Sequence, residues 1–455
     1  MQRSRINLVV IKNDIRLHDN PALFYAANQD LPIIVVCIDE KLTGHASRWW
    51  RLNAVRNFMD VLADYKIQVI FVENILADFH MIVAFFEIAG IYHNDDLPKF
   101  LLTMLIECHI TLHKFYPNRL FSDAFSDVQI KVFSAFIKKA LDRLEEIAVM
   151  LPLPRFRSIH DSYRLRNVMC AIPQIKGIKW WSEMENYWQI GEKFALQKWQ
   201  LFQENARERS ILLYAERRDI MSVNGTSLLS PHIHFGEISV RRMLCDIKSM
   251  LVDQSVHKFL SELFWREFSY HTLEHMPDYY YRSKLAHFDK IEWIENDLII
   301  KKWQCGKTGY PIVDAGMRQL WKIGWLPNRV RMIVASFLIK NLHVKWQYGA
   351  AWFLDTLVDA DVASNAFGWQ WISGSGVSAS PYFRVMNPFL QSRKFDKDGE
   401  YIKRWIHELR DVPAKHLHDV LHEQQYISPI VDLSTTKAAF LKKCMMASRN
   451  ADLEN

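Results

Sequence analysis

Three segments of the 455-residue chain carry side chains whose types and spacing suit chemistry. The first, Thr226-Ser227-Leu228-Leu229-Ser230-Pro231, sets three hydroxyls just ahead of a helix that the proline initiates. Hydroxyls and free amides at a helix start suit an anion such as a pyrophosphate, although such a cluster alone is more often a cap. The second is Pro327-Asn328-Arg329-Val330-Arg331-Met332. Helical spacing sets Asn328, Arg331 and Met332 along one face, while Val330, Val334 and Phe337 cover another that belongs in a core. In isolation a polar edge of this kind is more commonly a surface stripe.

The densest segment runs from Asp359 to Trp371. Two carboxylates two residues apart suit metal ligands or a loop cap. A metal needs further ligands and the segment has no His, so no metal site is expected. A buried guanidinium requires a partner, which makes Arg331 with one of these carboxylates the better pairing. Asp361 and Asn365 are one helical turn apart, as are Asn365 and Trp369. An amide and an indole are therefore expected to line one cavity.

Two kinds of element must position these residues. In the first third, β-branched runs (Leu8 to Ile11, Ile33 to Cys37, Val69 to Val72, and weaker ones at Gly90 to Tyr92 and Ile110 to Leu112) alternate with helical stretches, one opened by Asp19-Asn20-Pro21 and one spanning Arg51 to Tyr65. That alternation predicts a Rossmann-like parallel sheet covered on both faces. No G-x-G-x-x-G follows the first strand, so an ordinary dinucleotide pocket is not expected there. A helix from about Lys131 to Met150 is expected to end at Pro152 and Pro154. Beyond about Gly191 the pattern is helical nearly throughout. Pro311 opens one helix that Gly324 stops, and Pro327 opens another reaching about Lys340. The expected layout is an α/β domain over 1–130, a connector over 131–195 and a larger all-helical domain over 196–455.

Composition sets outer bounds. Hydrophobic residues at 49% and charged residues at 24% are ordinary for a globular protein, whereas 16 Trp, 16 Tyr and 27 Phe suit a core, a stacking platform or an electron relay. A net charge of +6 fits a phosphate-bearing partner without demanding one. The six cysteines are scattered and read as reduced thiols. No secretory leader pattern or bilayer-length apolar run is present, so a monomeric cytoplasmic protein without a membrane partner is expected.

Several long motifs in one order resemble the DNA photolyase and cryptochrome family. They are Gly306 to Leu320, Asn328 to Met332, Glu262-Leu263-Phe264-Trp265-Arg266-Glu267-Phe268, Asp359 to Trp371, Ser230 to Glu237 and Pro381 to Pro388, with a weaker match at Asp14 to Leu23. The resemblance implies a U-shaped FAD in the helical domain. Tyr214, Thr226, Ser227, Leu229 and Ser230 would hold its phosphates and ribose. Arg331 would pair with Asp359 beside the isoalloxazine ring, Asp361 would contact flavin and sugar, and Asn365 would sit next to flavin N5. Trp369, Trp346 and Trp293 match a relay that photoreduces the flavin, a role compatible with core packing. Glu262, Trp265, Asn328, Met332 and Trp371 match the pocket for a lesion flipped out of damaged DNA, and Arg266, Arg329 and Arg384 would reach phosphates.

Within that family the chain is most similar to class I-like cyclobutane pyrimidine dimer photolyases, in which light drives an electron from reduced FAD into the dimer. The alternatives are a cryptochrome-type blue-light photoreceptor, a (6-4) photoproduct photolyase, and a flavoprotein that only binds DNA. The neutral Asn365, where plant cryptochromes carry an acid, favours repair, as does the short final stretch Ser434 to Asn455. Asn328 and Met332 resemble the cyclobutane-dimer pattern rather than the histidine pair of (6-4) enzymes. A second, antenna chromophore (folate or deazaflavin) is a weaker expectation. The usual Trp-Phe-Arg-Arg-Asp opening is Val10-Ile11-Lys12-Asn13-Asp14 here, and the candidate folate ligands are Asn94 and Asp95.

Overall fold

The computed structural model describes residues 5–39, 44–94, 96–116, 118–121, 125, 128–147, 149–156, 172, 180–204, 210–419 and 426–454. Strands β1 (Arg5–Ile11), β2 (Ile33–Ile38), β3 (Gln68–Val72), β4 (Glu87–His93) and β5 (Thr111–Lys114) form one parallel sheet in the order β3-β2-β1-β4-β5. β2 is buried along its whole length, which is why Ile-Ile-Val-Val-Cys-Ile reads as a continuous apolar run rather than an alternating one. The crossovers are α1 (Pro21–Ala27), α2 (His45–Asp64), α3 (Ile75–Phe85) and α4 (Lys99–Glu107). Asn20 starts α1, its side chain accepting the Leu23 amide ahead of Pro21.

After β5 comes α5 (Phe133–Asp142), shorter than the expected 131–150. It gives way to a single 3-10 turn, and the chain is drawn back to the sheet domain where the Leu151 amide donates to Asp19 Oδ1 at 3.0 Å. The helical half contains α6 (Ser182–Tyr187), α7 (Glu192–Gln203), α8 (Tyr214–Arg217), α9 (Ser230–His234), α10 (Val240–Ile247), α11 (Gln254–His275) and α12 (Asp297–Gln304). There follow α13 (Pro311–Ile323), α14 (Asn328–Lys340), α15 (Trp346–Thr356), α16 (Val362–Ser373), α17 (Pro388–Phe395), α18 (Glu400–Trp405), α19 (Ala414–Leu417) and α20 (Leu433–Glu454). Both boundaries of α13 lie where Pro311 and Gly324 place them, the glycine in the left-handed conformation at φ 67°. No described helix is long and apolar enough to cross a membrane.

A clasp joins the halves. The Ile15 amide donates to Phe235 O at 3.1 Å, and Arg16 Nη1 donates to Gly236 O at 2.8 Å. Asp19 takes Arg241 and Ser239, while Glu192 accepts the amides of Leu17 and His18 at 2.7 and 2.9 Å. At Gly236 the backbones approach so closely that a Cβ would stand 2.2 Å from Asn13 O, a contact only glycine allows.

Candidate functional site

A cavity of about 1130 Å³ opens between α8, α9, α11, α14 and α16. On one side Thr226, Ser227, Leu229 and Ser230 meet Tyr214, which is buried. The α9 helix that follows these hydroxyls is only five residues long, so the hydroxyls and the turn before it, rather than a long helix, form this wall. Ser230 Oγ also accepts the Trp325 indole N–H at 3.1 Å.

Deeper in the cavity, Arg331 Nη2 donates to Asp359 Oδ2 at 2.7 Å and its Nε donates to Leu326 O at 2.9 Å. The Asp359 side chain is 4% exposed and that of Arg331 25%, so the pair forms a mostly buried wall, as the need for a counter-charge predicts. The other Asp359 oxygen, Oδ1, is buried without a hydrogen-bond partner. It is an acceptor waiting for a donor, and a flavin carries ring N–H and ribityl O–H groups of that kind. The cavity size and the hydroxyl wall fit the same group.

Asp361 is the N-cap of α16, its Oδ1 accepting the Ser364 amide at 2.7 Å. Its Oδ2 accepts the Tyr270 hydroxyl at 2.6 Å and lies 3.7 Å from His234 Nδ1. Burial pushes this carboxyl up, but His234, the Tyr270 hydroxyl, the Ser364 amide and Arg266 more than offset it and leave the group below its ordinary range. A fixed negative charge therefore lines this part of the cavity.

The mouth is polar and aromatic. Arg218 bonds Glu262, Lys258 lies 3.1 Å from the same carboxylate, and Arg329 donates to Asp219 at 2.5 Å. Asn328 is exposed, with Nδ2 3.7 Å from Met332 Sδ. Trp265 and Trp371 are half-buried in the walls. One face of Trp265 is covered by Phe133 of α5, stacked at 3.5 Å with planes 9° apart.

The three arginines assigned to phosphates divide. Arg266 turns inward, its Nη1 donating to Asn118 O and to Glu267 at 2.9 Å each, and Arg329 lies over the Phe395 ring as well as on Asp219. Arg384 alone of the three is exposed at the rim.

The expectation that Asn365 and Trp369 line the cavity differs from what is found. Between Asp359 and Ile372 the cavity takes Asp359, Asp361, Ser364, Phe367, Gly368, Trp371 and Ile372. Asn365 and Trp369 lie on the adjoining stripe, toward α15: Asn365 Nδ2 donates to Ala350 O at 3.0 Å. The Trp369 indole lies so close over Gly349 that a Cβ there would be 2.1 Å from it. It also meets Phe353 edge-on at 5.0 Å and Trp303 at 6.3 Å. Trp346 is buried and donates to Ser283 Oγ at 3.1 Å; Trp293 is half-buried.

In the sheet domain, strand order reverses between β1 and β4, the crevice where such folds usually bind ligands. Here Asn94 Nδ2 bonds Asp14 and, at 2.7 Å, Asn20 Oδ1, while Asn94 Oδ1 accepts the Ala22 amide at 3.1 Å. All three side chains are buried, so Asn94 is spent on this knot rather than open to a folate; Asp95 lies outside the described residues.

Sequence reasoning missed Arg218, Asp219, Tyr270, His234 and Phe133. Arg218 stands one turn after Tyr214 and Tyr270 one turn after Arg266, a spacing that could have flagged both. Phe133 gives no such signal.

A parallel α/β domain clasped to a helical domain with a deep, acid- and hydroxyl-lined cavity defines a two-domain cofactor-binding protein. Comparisons with known proteins make this specific. A family model described as DNA photolyase matches residues 7–96, and one described as the FAD binding domain of DNA photolyase matches residues 259–446. The chain is 36% identical to the deoxyribodipyrimidine photo-lyase of Agrobacterium fabrum over 90% of its length and 89% of that protein. It is 30% identical to cryptochrome-2 of Arabidopsis thaliana, covering 100% of this chain and 81% of the relative. The crystal structure of a bacterial class III photolyase from Agrobacterium tumefaciens superposes with a TM-score of 0.88 at 31% identity, covering 99% of each chain. The chain belongs to the DNA photolyase and cryptochrome family and carries that family's FAD-binding domain.

Proposed function

We propose that this protein is a photolyase that reverses cyclobutane pyrimidine dimers in damaged DNA. One observation carries the reading: the Arg331–Asp359 pair and the side chains Trp265, Trp371, Asn328 and Met332 open into one continuous cavity. A group held deep inside can thus approach a base swung in from the mouth. FAD, when bound, supplies the light-driven electron that opens the cyclobutane ring. The protein's own residues do the rest. Thr226, Ser227, Ser230 and Tyr214 hold the phosphates and ribose, and Arg331 and Asp361 fix the ring system. Flipping two bases costs a few kcal/mol, which stacking on Trp265 and Trp371 and hydrogen bonds donated by Asn328 and accepted by Glu262 offset. Arg384 meets the backbone.

The experiment is direct. The purified protein should absorb as a flavoprotein and split thymine dimers in an oligonucleotide back to thymines under blue light; a yellow protein that leaves dimers intact would favour signalling. That second reading has support in the match to a plant cryptochrome along the whole chain. The Asn328–Met332 pair at the cavity mouth favours dimer repair over it and over (6-4) chemistry.

Trp369, buried between Gly349 and Phe353, would start an electron relay that ends at the half-buried Trp293. In Trp369→Phe, photoreduction of the oxidised flavin is expected to be largely abolished, while chemically pre-reduced enzyme repairs at near the wild-type rate. Equal loss in both protocols would remove the relay assignment. Phe133→Ala takes away the ring that backs Trp265. An aromatic pair contributes about 0.5–1.5 kcal/mol, so affinity for dimer-containing duplex should fall roughly two- to tenfold, with binding to undamaged duplex unchanged.

A further inference from the structure

The helix α14 brings Asn328, Arg331 and Met332 to the cavity at its start and ends on Lys340, which is 1% exposed. An ammonium group in such a place normally faces a carboxylate, yet among the described residues none pairs with it. Its Nζ donates instead to two main-chain oxygens, those of Tyr382 and Arg384, at 3.1 Å each. One turn back on the same helix, Ser336 Oγ accepts the Met386 amide at 3.1 Å. Three hydrogen bonds from α14 thus hold the turn that runs from Tyr382 to Met386.

That turn is tight: the Arg384 amide donates to Pro381 O at 2.9 Å and the Val385 amide to Phe383 O at 3.0 Å. It projects outward, with Phe383 62% exposed and Arg384 exposed at the cavity rim. Gly374 also presses against it, since a Cβ there would be 2.8 Å from the Tyr382 Cα. A turn of this kind satisfies few of its own carbonyls, so donors must reach it from below. Methionine or leucine would fill the space of the Lys340 stem, but neither could donate. Burial, against a partial offset from Cys444 and with a small contribution from Arg384, pushes the Lys340 ammonium down to about 7. A polar group so costly to bury is retained where its hydrogen bonds have a task.

We propose that Lys340 is a positioning residue for DNA binding: reaching up from the core, it holds the turn so that Arg384 stands over the cavity rim where the DNA backbone passes. The inference rests on the photolyase reading above and adds a residue that never touches DNA.

The test uses the FAD-loaded protein and its Lys340→Met, Arg384→Ala, double and Ser336→Ala forms. Two quantities are read: affinity for a dimer-containing duplex, and light-driven repair of the free thymine-dimer dinucleotide, too small to reach the rim. Lys340→Met should weaken duplex binding by about tenfold, the size expected for losing charged hydrogen bonds, and leave flavin absorption and dinucleotide repair as in the wild type. In the Arg384→Ala background it should add nothing further. Ser336→Ala, a change with little folding risk, should show a smaller loss of the same kind. The proposal is overturned if Lys340→Met costs the same factor with and without Arg384, if dinucleotide repair falls in step with duplex binding, or if Ser336→Ala leaves duplex affinity untouched. A wild-type protein that neither prefers nor repairs dimers overturns the photolyase reading itself, and this inference with it.

Discussion

Asp359→Ala is expected to yield a colourless protein destabilised by about 3–5 kcal/mol, nearer the lower figure. The reason is geometric. Arg331 donates to Asp359 at 2.7 Å and to Leu326 O at 2.9 Å, and the aspartate is its only carboxylate partner among the described residues. With the carboxylate gone, a guanidinium stays in a wall with nothing to balance it, although its 25% exposure lets water reach part of it. The buried acceptor Asp359 Oδ1, without a hydrogen-bond partner in a residue that lines the cavity, disappears in the same step. Denaturant unfolding and the ratio of flavin to protein absorbance measure the two effects. Retention of flavin at the wild-type ratio, with stability within about 1 kcal/mol, would mean that the pair behaves as a surface ion pair.

Alanine at Trp265 or Trp371 should act on damaged DNA in particular. Base–aromatic stacking contributes about 1–3 kcal/mol per base, or roughly 5- to 150-fold in Kd. Trp265 offers one face only, because Phe133 covers the other, so its effect should fall at the lower end of that range. Trp371, half-buried in the cavity lining, should show the larger loss. Undamaged duplex, held through phosphates, should bind as before and with the same salt dependence. Equal weakening toward both duplexes would instead mark a stability or phosphate effect.

The parts of this fold that could be read from the chain are those with local causes. Pro311 and Gly324 bracket α13, because a fixed φ starts a helix and a left-handed glycine ends one, and Pro327 likewise marks the start of α14. The strands were visible as buried apolar runs. The helix α5 was overextended because Leu144-Glu145-Glu146 favours helix locally, while the tie between Leu151 and Asp19 requires the chain to turn. In the site, spacing was enough to group Asn328 with Met332 and to pair Arg331 with Asp359. It could not say which way α16 faces. Asn365 and Trp369 point toward α15 because Gly349 leaves room there for an indole, a fact that lies outside their own segment. The contact of Phe133 with Trp265 joins residues far apart in sequence, and no periodicity announces such a pair.

The clasp between the two halves bears on what the sheet domain is for. Arg16, Asp19 and the Gly236 contact spend the opening motif on anchoring the helical half. With or without a light-harvesting pigment, this domain works as a keel: shedding it would bare the anchors of α9 and α10, the elements next to the hydroxyl wall. A lineage could lose its antenna dye and still be unable to discard the scaffold that once carried it.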